Sequence, residues 1–179
     1  MKKQVGFTLI EIAIVLVIIG LLLGGVLKGQ EMITNSKIKR TSNDYNGVAA
    51  AVYSYLDRYS ALPGDDPNAN GRWGLVDGDG DGVIGTAAER ASVWAHLRAS
   101  GLVAGTGDNN PIHAFGGEII TRDGGNGLAS TSICMNSMSG KIGEILDRQL
   151  DDGVFNTGEM RANAIYAQTA TNLTICKHL

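Results

Sequence analysis

The feature that most constrains this chain is an uninterrupted apolar run close to its start. Residues 12–27 read IAIVLVIIGLLLGGVL and contain no charge. With the residues from Phe7 onward the segment is 21 positions long, and an α-helix needs about 20 residues to cross the hydrocarbon core of a bilayer. We therefore predict a membrane-spanning helix over this segment.

The residues on either side of the run indicate how the helix is oriented in the membrane and whether a signal peptidase removes it. Lys2 and Lys3 precede it, and no small-residue cleavage site of the A-x-A type follows Leu27. Positive charges keep the N-terminal piece in the cytoplasm and send the rest of the chain across. An ordinary secretory signal has a shorter apolar stretch followed by such a site. We expect the helix to remain in the protein.

One acidic residue, Glu11, stands at the beginning of this apolar segment. An ionised carboxylate inside an apolar span costs about 3 kcal/mol on insertion scales, so it requires a partner or a function. Alternatively, the side chain reaches the nearby headgroups, because it lies about one turn from the helix start. The residue by itself leaves both interpretations open.

The stretch Gly6-Phe7-Thr8-Leu9-Ile10-Glu11 resembles the type IV prepilin motif, in which a short basic leader ends in glycine and F-T-L-x-E follows. The resemblance implies that a prepilin peptidase cuts after Gly6 on the cytoplasmic side and that Phe7 becomes the N-methylated first residue. It also implies a role for Glu11 in assembly. The amine of one subunit and Glu11 of its neighbour would neutralise each other in a low-dielectric bundle.

The polar sequence after the apolar run keeps a helical pattern. No proline occurs before Pro63, and apolar residues recur mainly at three-, four- and seven-residue steps. These residues are Ile38, Tyr45, Val48, Ala49, Val52, Leu56 and Tyr59. We predict one helix from Phe7 to about Tyr59; the alternative is a break near Asn35-Ser36 or Gly47. The chain then divides into a leader (1–6), a transmembrane assembly helix (7–29), and an amphipathic half-helix with a periplasmic globular head (30–179).

The head shows signals for short helices and strands. Residues 87–100 and 142–150 are predicted helices, and residues 118–121, 132–135 and 172–176 are predicted strands. The predicted fold is α+β and type IV pilin-like. Its long N-terminal helix, with a transmembrane and an amphipathic half, packs on a small antiparallel sheet with short helices.

An acidic, glycine-rich stretch in the head follows the calcium-loop pattern. In Asp77-Gly78-Asp79-Gly80-Asp81-Gly82-Val83-Ile84, acidic residues occupy positions 1, 3 and 5 and glycine occupies position 6 of an EF-hand loop. The predicted calcium ligands are Asp77, Asp79, Asp81 and the Val83 carbonyl, completed by Asp66 or Glu89. Because position 12 is Ala88, we expect an isolated structural site rather than a sensor. The alternative is a solvated acidic turn.

The chain has two cysteines, Cys134 and Cys176, without the spacing of a zinc site. If the head lies outside the cytoplasm, a disulfide between them is expected. Two buried free thiols are the alternative.

Several functional classes lack support in this sequence. The net charge of −3 and the pI near 5.5 give no indication of nucleic-acid binding. His96, His113 and His178 stand in unrelated contexts, and no GxSxG, HExxH or nucleotide-binding glycine motif is visible. We therefore expect no enzymatic activity.

The resemblance implies a structural subunit, a pilin or minor pilin, of a type IV pilus-like filament. Its partners would be copies of itself or other pilins, the prepilin peptidase and the inner-membrane assembly machinery. The chain would be a single-pass protein of the bacterial inner membrane before assembly, and part of a periplasmic or extracellular filament afterwards. Two alternatives remain: a pseudopilin of a type II secretion system, and a membrane-tethered periplasmic calcium-binding module that does not polymerise.

Overall fold

The computed structural model describes Gly6 and residues 8–179. Within these residues, four helices and four strands follow one another, with a short 3-10 turn at Gly125–Gly127 between the first two strands. They are α1 (Leu9–Tyr59), α2 (Ala69–Trp73), α3 (Ala87–Ala99), β1 (Ile119–Asp123), β2 (Thr131–Met138), α4 (Gly140–Leu150), β3 (Met160–Ala162) and β4 (Leu173–His178). The predicted α+β fold is confirmed. The long helix ends at Tyr59 as predicted and is not broken, whereas its predicted start at Phe7 lies outside the described residues.

The chain divides into two compact units, with the boundary between Lys37 and Ile38. In the N-terminal unit, the large apolar side chains of α1 between positions 9 and 27 are exposed. Its most apolar window of 18 residues has a mean hydropathy of 2.8, and none of that window is buried. By length and composition this segment can cross a bilayer. Exposed apolar surface of this extent requires lipid or another protein to cover it.

In the C-terminal unit, α1 buries one face against the head. The buried residues are Ile38, Thr41, Tyr45, Val48, Ala51, Val52 and Tyr55. The Tyr45 hydroxyl donates to the carbonyl of Ile175 on β4, at 2.9 Å. The predicted stripe is wrong at Leu56, which is 38% exposed, whereas the neighbouring Tyr55 is buried. Tyr55 is buried because its hydroxyl finds a partner inside the head, the carboxylate of Asp66.

The sheet has the strand order β1-β2-β4-β3, and all neighbouring strands are antiparallel. Side chains alternate between its two faces. On β2, Ile133 and Met135 belong to the main core, whereas Cys134 belongs to a separate cluster with Leu128 and Cys176. β3 and α2, which are three and five residues long, were not predicted.

Helix α3 is fixed at its start and along its buried face. Thr86 and Glu89 form a capping box, which satisfies two backbone donors at the helix start. The indole of Trp94 is buried and donates to the carbonyl of Ile119 on β1, at 3.1 Å. The side chain therefore belongs to the core and holds α3 against the sheet.

The disulfide predicted from the two cysteines is confirmed. Cys134 and Cys176 are bonded across directly paired positions of β2 and β4, 42 residues apart in sequence. Removing it by changing both residues to alanine should lower the free energy of unfolding by about 4 kcal/mol, because the unfolded chain gains conformational freedom. Denaturant titration of the full-length chain in detergent checks this value. Equal midpoints for the two proteins would contradict it.

Candidate functional site

Glu11 lies in the first turn of α1 and bonds back to Thr8. The amide and the hydroxyl of Thr8 both donate to Oε2 of Glu11, at 2.8 and 2.7 Å, and the amide of Glu11 donates to the Thr8 hydroxyl, at 3.3 Å. This reciprocal pattern is a capping box, which satisfies donors that the helix itself leaves unpaired. This capping box was not predicted, although T-x-x-E before an apolar run is its known signature.

The capping box leaves one carboxylate oxygen available. All these bonds to the Glu11 side chain end on Oε2, and Oε1 receives no hydrogen bond from any residue that the structure describes. Both Thr8 and Glu11 are exposed. Negative charge is favoured at a helix N-terminus, so the position of this side chain suits a carboxylate.

Of the predicted cleavage residues, only Gly6 can be described. It is exposed, and a Cβ placed on it would meet no atom of the described residues within 4 Å. Phe7, the predicted methylation site, lies outside the described residues. A side chain at position 6 therefore finds space in the protein itself.

Three carboxylates meet at the acidic loop of the head. Asp65, Asp79 and Asp81 each offer an oxygen, and these oxygens lie within 4.8 Å of one another. Asp65 is buried and accepts the amides of Gly80, at 2.6 Å, and Gly82, at 2.8 Å. Burial raises the pKa of Asp65 above its ordinary value, against these hydrogen bonds. Three carboxylates so close together offer the hard oxygen ligands that calcium and magnesium prefer.

The structure groups two of the predicted calcium ligands, Asp79 and Asp81, with a carboxylate that was not predicted. Asp77 is not part of this group, and its carboxylate accepts the amide of Asn70, at 2.7 Å. Val83 is tied to the loop by its amide, which donates to Asp81 at 2.9 Å. Asp65, which was not predicted, reaches the loop because its backbone touches Gly78 where only a glycine fits.

The two residues proposed to complete the shell have other partners. Asp66 accepts the hydroxyl of Tyr55, at 2.6 Å, and pairs with the guanidinium of Arg72. Glu89 accepts the amides of Gly85 and Thr86, at 2.9 and 2.8 Å, as part of the capping box of α3. Both side chains therefore act in the local structure that surrounds the acidic loop.

Asp66 makes the stability of the head depend on pH. Burial raises its pKa, but hydrogen bonds from Tyr55, Asn68 and Arg72 outweigh this effect and lower the pKa below its ordinary value. A carboxyl whose pKa is lower in the folded state stabilises the fold at pH values above its pKa in the unfolded chain, about 3.9. This stabilisation is lost as the pH falls through the pKa of the folded state.

Exchanging Asp66 for asparagine should therefore flatten the fall in Tm on acidification below about pH 4. The variant loses this linkage, because asparagine does not titrate. Thermal unfolding of the full-length chain between pH 2 and pH 6 measures it, and the exposed Asp57→Asn is the control. A decline as steep in Asp66→Asn as in Asp57→Asn would refute this assignment.

His96 has a structural role in the head. Its side chain is buried, Nδ1 accepts the amide of Gly64 and Nε2 contacts the carbonyl of Val76, both at 2.9 Å. Burial lowers its pKa, so the neutral ring holds both bonds. The histidine thereby joins the two ends of the segment that precedes the acidic loop.

A second acidic group lies at the C-terminal end of α4. Asp147, Asp151 and Asp152 offer oxygens within 4.8 Å of one another. Each has a partner: Asp147 accepts the Tyr166 hydroxyl at 2.7 Å, Asp151 the amide of Met160 at 2.8 Å, and Asp152 the Thr157 hydroxyl at 2.6 Å. These bonds shape the turn between α4 and β3.

Comparison with known proteins finds a match at the N-terminal end of the chain. Residues 1–27 match the family model described as the prokaryotic N-terminal methylation motif. No curated protein and no solved structure matches the chain. The matched segment includes Gly6, Phe7 and Glu11 and the first part of the apolar helix. The chain thus carries at its N-terminus the signature of type IV pilins and pseudopilins.

Proposed function

We propose that this protein is a structural subunit, a pilin or minor pilin, of a type IV pilus-like filament. A prepilin peptidase cuts it after Gly6, and the mature chain assembles through α1. The observation that supports this most is the Glu11 carboxylate in the first turn of an exposed apolar helix, within a methylation motif.

Charge pairing explains why processing and assembly are coupled. Cleavage after Gly6 turns the amide of Phe7 into a cationic amine, whereas the uncut precursor has no charge there. An unpaired charge in a low-dielectric bundle is strongly penalised, and an opposite charge at short range removes much of that penalty. Oε1 of Glu11 can accept the amine of a neighbouring copy while Oε2 keeps the capping box. The pair also fixes the axial register between subunits.

The surface of the apolar segment suits helix–helix contact. Its large side chains are exposed, and four glycines have no neighbour among residues 8–179 that an added Cβ would meet within 4 Å. These are Gly20, Gly24, Gly25 and Gly29. Glycines at four-residue spacing let two helices approach closely where lipid gives no hydrophobic driving force. Copies of the chain or other pilins can pack there.

The head supplies the part of the subunit that faces solvent. Its disulfide, Cys134–Cys176, is typical of proteins that mature in an oxidising compartment. This supports a subunit held in the bacterial inner membrane, with its head in the periplasm, before the assembly machinery adds it to a filament.

The proposal is tested by following the chain in cells with and without a prepilin peptidase. With the peptidase present, the chain should appear in the filaments that shearing releases. Without it, the chain should stay in the membrane fraction. A chain that stays in the membrane fraction under both conditions is a tethered module, and the proposal fails.

We further propose that Asp65, Asp79 and Asp81 hold a calcium ion. Calcium prefers six to eight hard oxygen ligands on a flexible loop, and three carboxylates supply the charge. Asp79 and Asp81 are exposed, whereas Asp65 is buried beneath them. A cation would relieve the repulsion among the carboxylates and favour the ionised form of Asp65.

Removing calcium should therefore lower the Tm of the full-length chain in detergent by several degrees, because a ligand that binds only the folded state stabilises it. Chelator titration followed by calcium return measures the shift. Asp65→Asn should abolish it, whereas Asp77→Asn should keep it. No calcium-dependent shift in the native chain, or equal behaviour of the two variants, would contradict this site.

A further inference from the structure

The disulfide lies beneath a turn formed by residues 124–128, called here the cover turn. Cys134 and Cys176 are both fully buried. The cluster that contains them is small, with Leu128 as its other buried member and Ile120 packed alongside. So small a cluster shields the sulfurs only while the turn stays in place above them.

Gly125 lies directly against the two sulfurs. A Cβ built on it would lie 2.8 Å from the sulfur of each cysteine and would also collide with the hydroxyl of Ser132. Any side chain at this position would have to push the turn away from the sheet. The glycine thus permits a closeness of backbone and disulfide that leaves no room for a thiol reagent.

Asn126 holds the cover turn closed. Its side-chain amide donates to the carbonyls of Arg161 on β3 and Thr174 on β4, both at 2.8 Å. The guanidinium of Arg161 in turn donates to the carbonyl of Gly127, at 2.8 Å. Asn126 has a φ of 52°, in the left-handed region that asparagine tolerates better than most residues. The turn is therefore tied to two strands by side-chain bonds that can break without unfolding the sheet.

We propose that the cover turn controls the redox chemistry of the disulfide. Thiols and thiol–disulfide oxidoreductases reach the sulfurs only when residues 124–128 open locally. Because an oxidant needs the same access, oxidation of the two thiols precedes closure of the turn during maturation. The partner class is a dithiol reagent or enzyme, which the closed turn excludes.

Dithiothreitol is the probe for this test. One of its thiolates attacks a cysteine sulfur, which breaks the protein disulfide, releases one cysteine thiolate and forms a mixed disulfide. Its second thiolate then closes the dithiothreitol ring and releases the other cysteine thiolate. Two electrons pass from dithiothreitol to the protein, and two protons yield the free thiols. Alkylation of those thiols with a maleimide polymer, read on a gel, gives the rate.

The key variant is Asn126→Gly, measured in the full-length chain in non-denaturing detergent. Glycine keeps the left-handed backbone but loses both side-chain bonds, so reduction should become roughly thirtyfold faster. Gly125→Ala should also accelerate reduction, because its Cβ would push the turn away from the two sulfurs. The rate should depend only weakly on urea, because local opening exposes little surface.

The matched control is Asn172→Gly. Asn172 also has a positive φ, 63°, and directly precedes β4, but its side chain accepts from Ser137 and not from the cover turn. Its reduction rate should equal that of the native chain. Native-like rates for Asn126→Gly, equal acceleration in Asn172→Gly, or a urea dependence as steep as that of global unfolding would each overturn the proposal.

Discussion

Replacing Glu11 with glutamine is expected to lower filament formation about a hundredfold while the subunit remains folded, inserted and processed. In the proposed assembly, the amine of each mature chain is neutralised by Glu11 of a neighbour. Glutamine has nearly the same shape and can still accept the bonds from Thr8, but it carries no charge. The neighbouring amine is then left unpaired in a low-dielectric bundle, which costs about 3 to 5 kcal/mol for each contact.

The matched control is Thr8→Ala, which leaves the charge of Glu11 and removes both the bond that the Thr8 hydroxyl donates and the bond that it accepts. Losing a helix cap costs about 1 kcal/mol, which is less than the cost of leaving a buried charge unpaired. We expect assembly within a few-fold of the native level. Sheared filaments are quantified by immunoblot against the membrane fraction. Normal filament yield from Glu11→Gln, or an equally large loss in Thr8→Ala, would refute the charge-pairing role.

Replacing Gly6 with valine should leave nearly all of the chain as uncut precursor and abolish its incorporation into filaments. A peptidase that cuts directly after this residue must bring its catalytic groups close to the backbone, and a branched side chain obstructs that approach. The described part of the protein accommodates the change, because none of its atoms lies within 4 Å of a Cβ at Gly6. Any loss therefore reflects recognition by the peptidase and not misfolding.

Gly29→Val is the control for this second experiment. Gly29 also has no atom within 4 Å of an added Cβ, but it lies 23 residues beyond the cleavage position. Precursor and mature forms are separated by gel electrophoresis of membranes from cells that express the peptidase. Gly29→Val should be cut normally. Complete cleavage of Gly6→Val would place the cut elsewhere.

The long helix was predictable because its determinants are local. An apolar run, a following amphipathic stripe and the absence of proline before Pro63 indicate one helix without any knowledge of the head. The pattern did not reveal Tyr55 as a core residue, because its burial depends on Asp66, which lies 11 residues further along the chain. Whether an aromatic hydroxyl has a buried acceptor depends on tertiary packing, which a local sequence pattern does not contain.

The missed elements depend on tertiary contacts in the same way. β3 has only three residues and is held by pairing with β4 and by the bond from Met160 to Asp151. α2 has five residues, and Arg72 ties it to Asp66 while packing over the rings of Tyr59 and Trp73. Neither segment is long enough to show a periodic pattern.

The two candidate sites differ in how far apart their residues lie in the sequence. Gly6 and Glu11 belong to one continuous motif, so their pattern was visible in the sequence. The acidic group was predicted in part: Asp79 and Asp81 are neighbours in the loop, whereas Asp65 arrives from a turn 14 residues earlier. That turn reaches the loop through the close contact between Gly78 and Asp65, which no spacing rule contains.

Mass spectrometry of the N-terminal peptide of this chain, taken from sheared filaments, tests the central claim most directly. A subunit that polymerises through a newly made terminus should yield a peptide that begins at Phe7 and carries one methyl group on its amine. Filaments that contain the chain with Met1 and the leader still attached would contradict the account, and so would a chain that begins beyond Leu27.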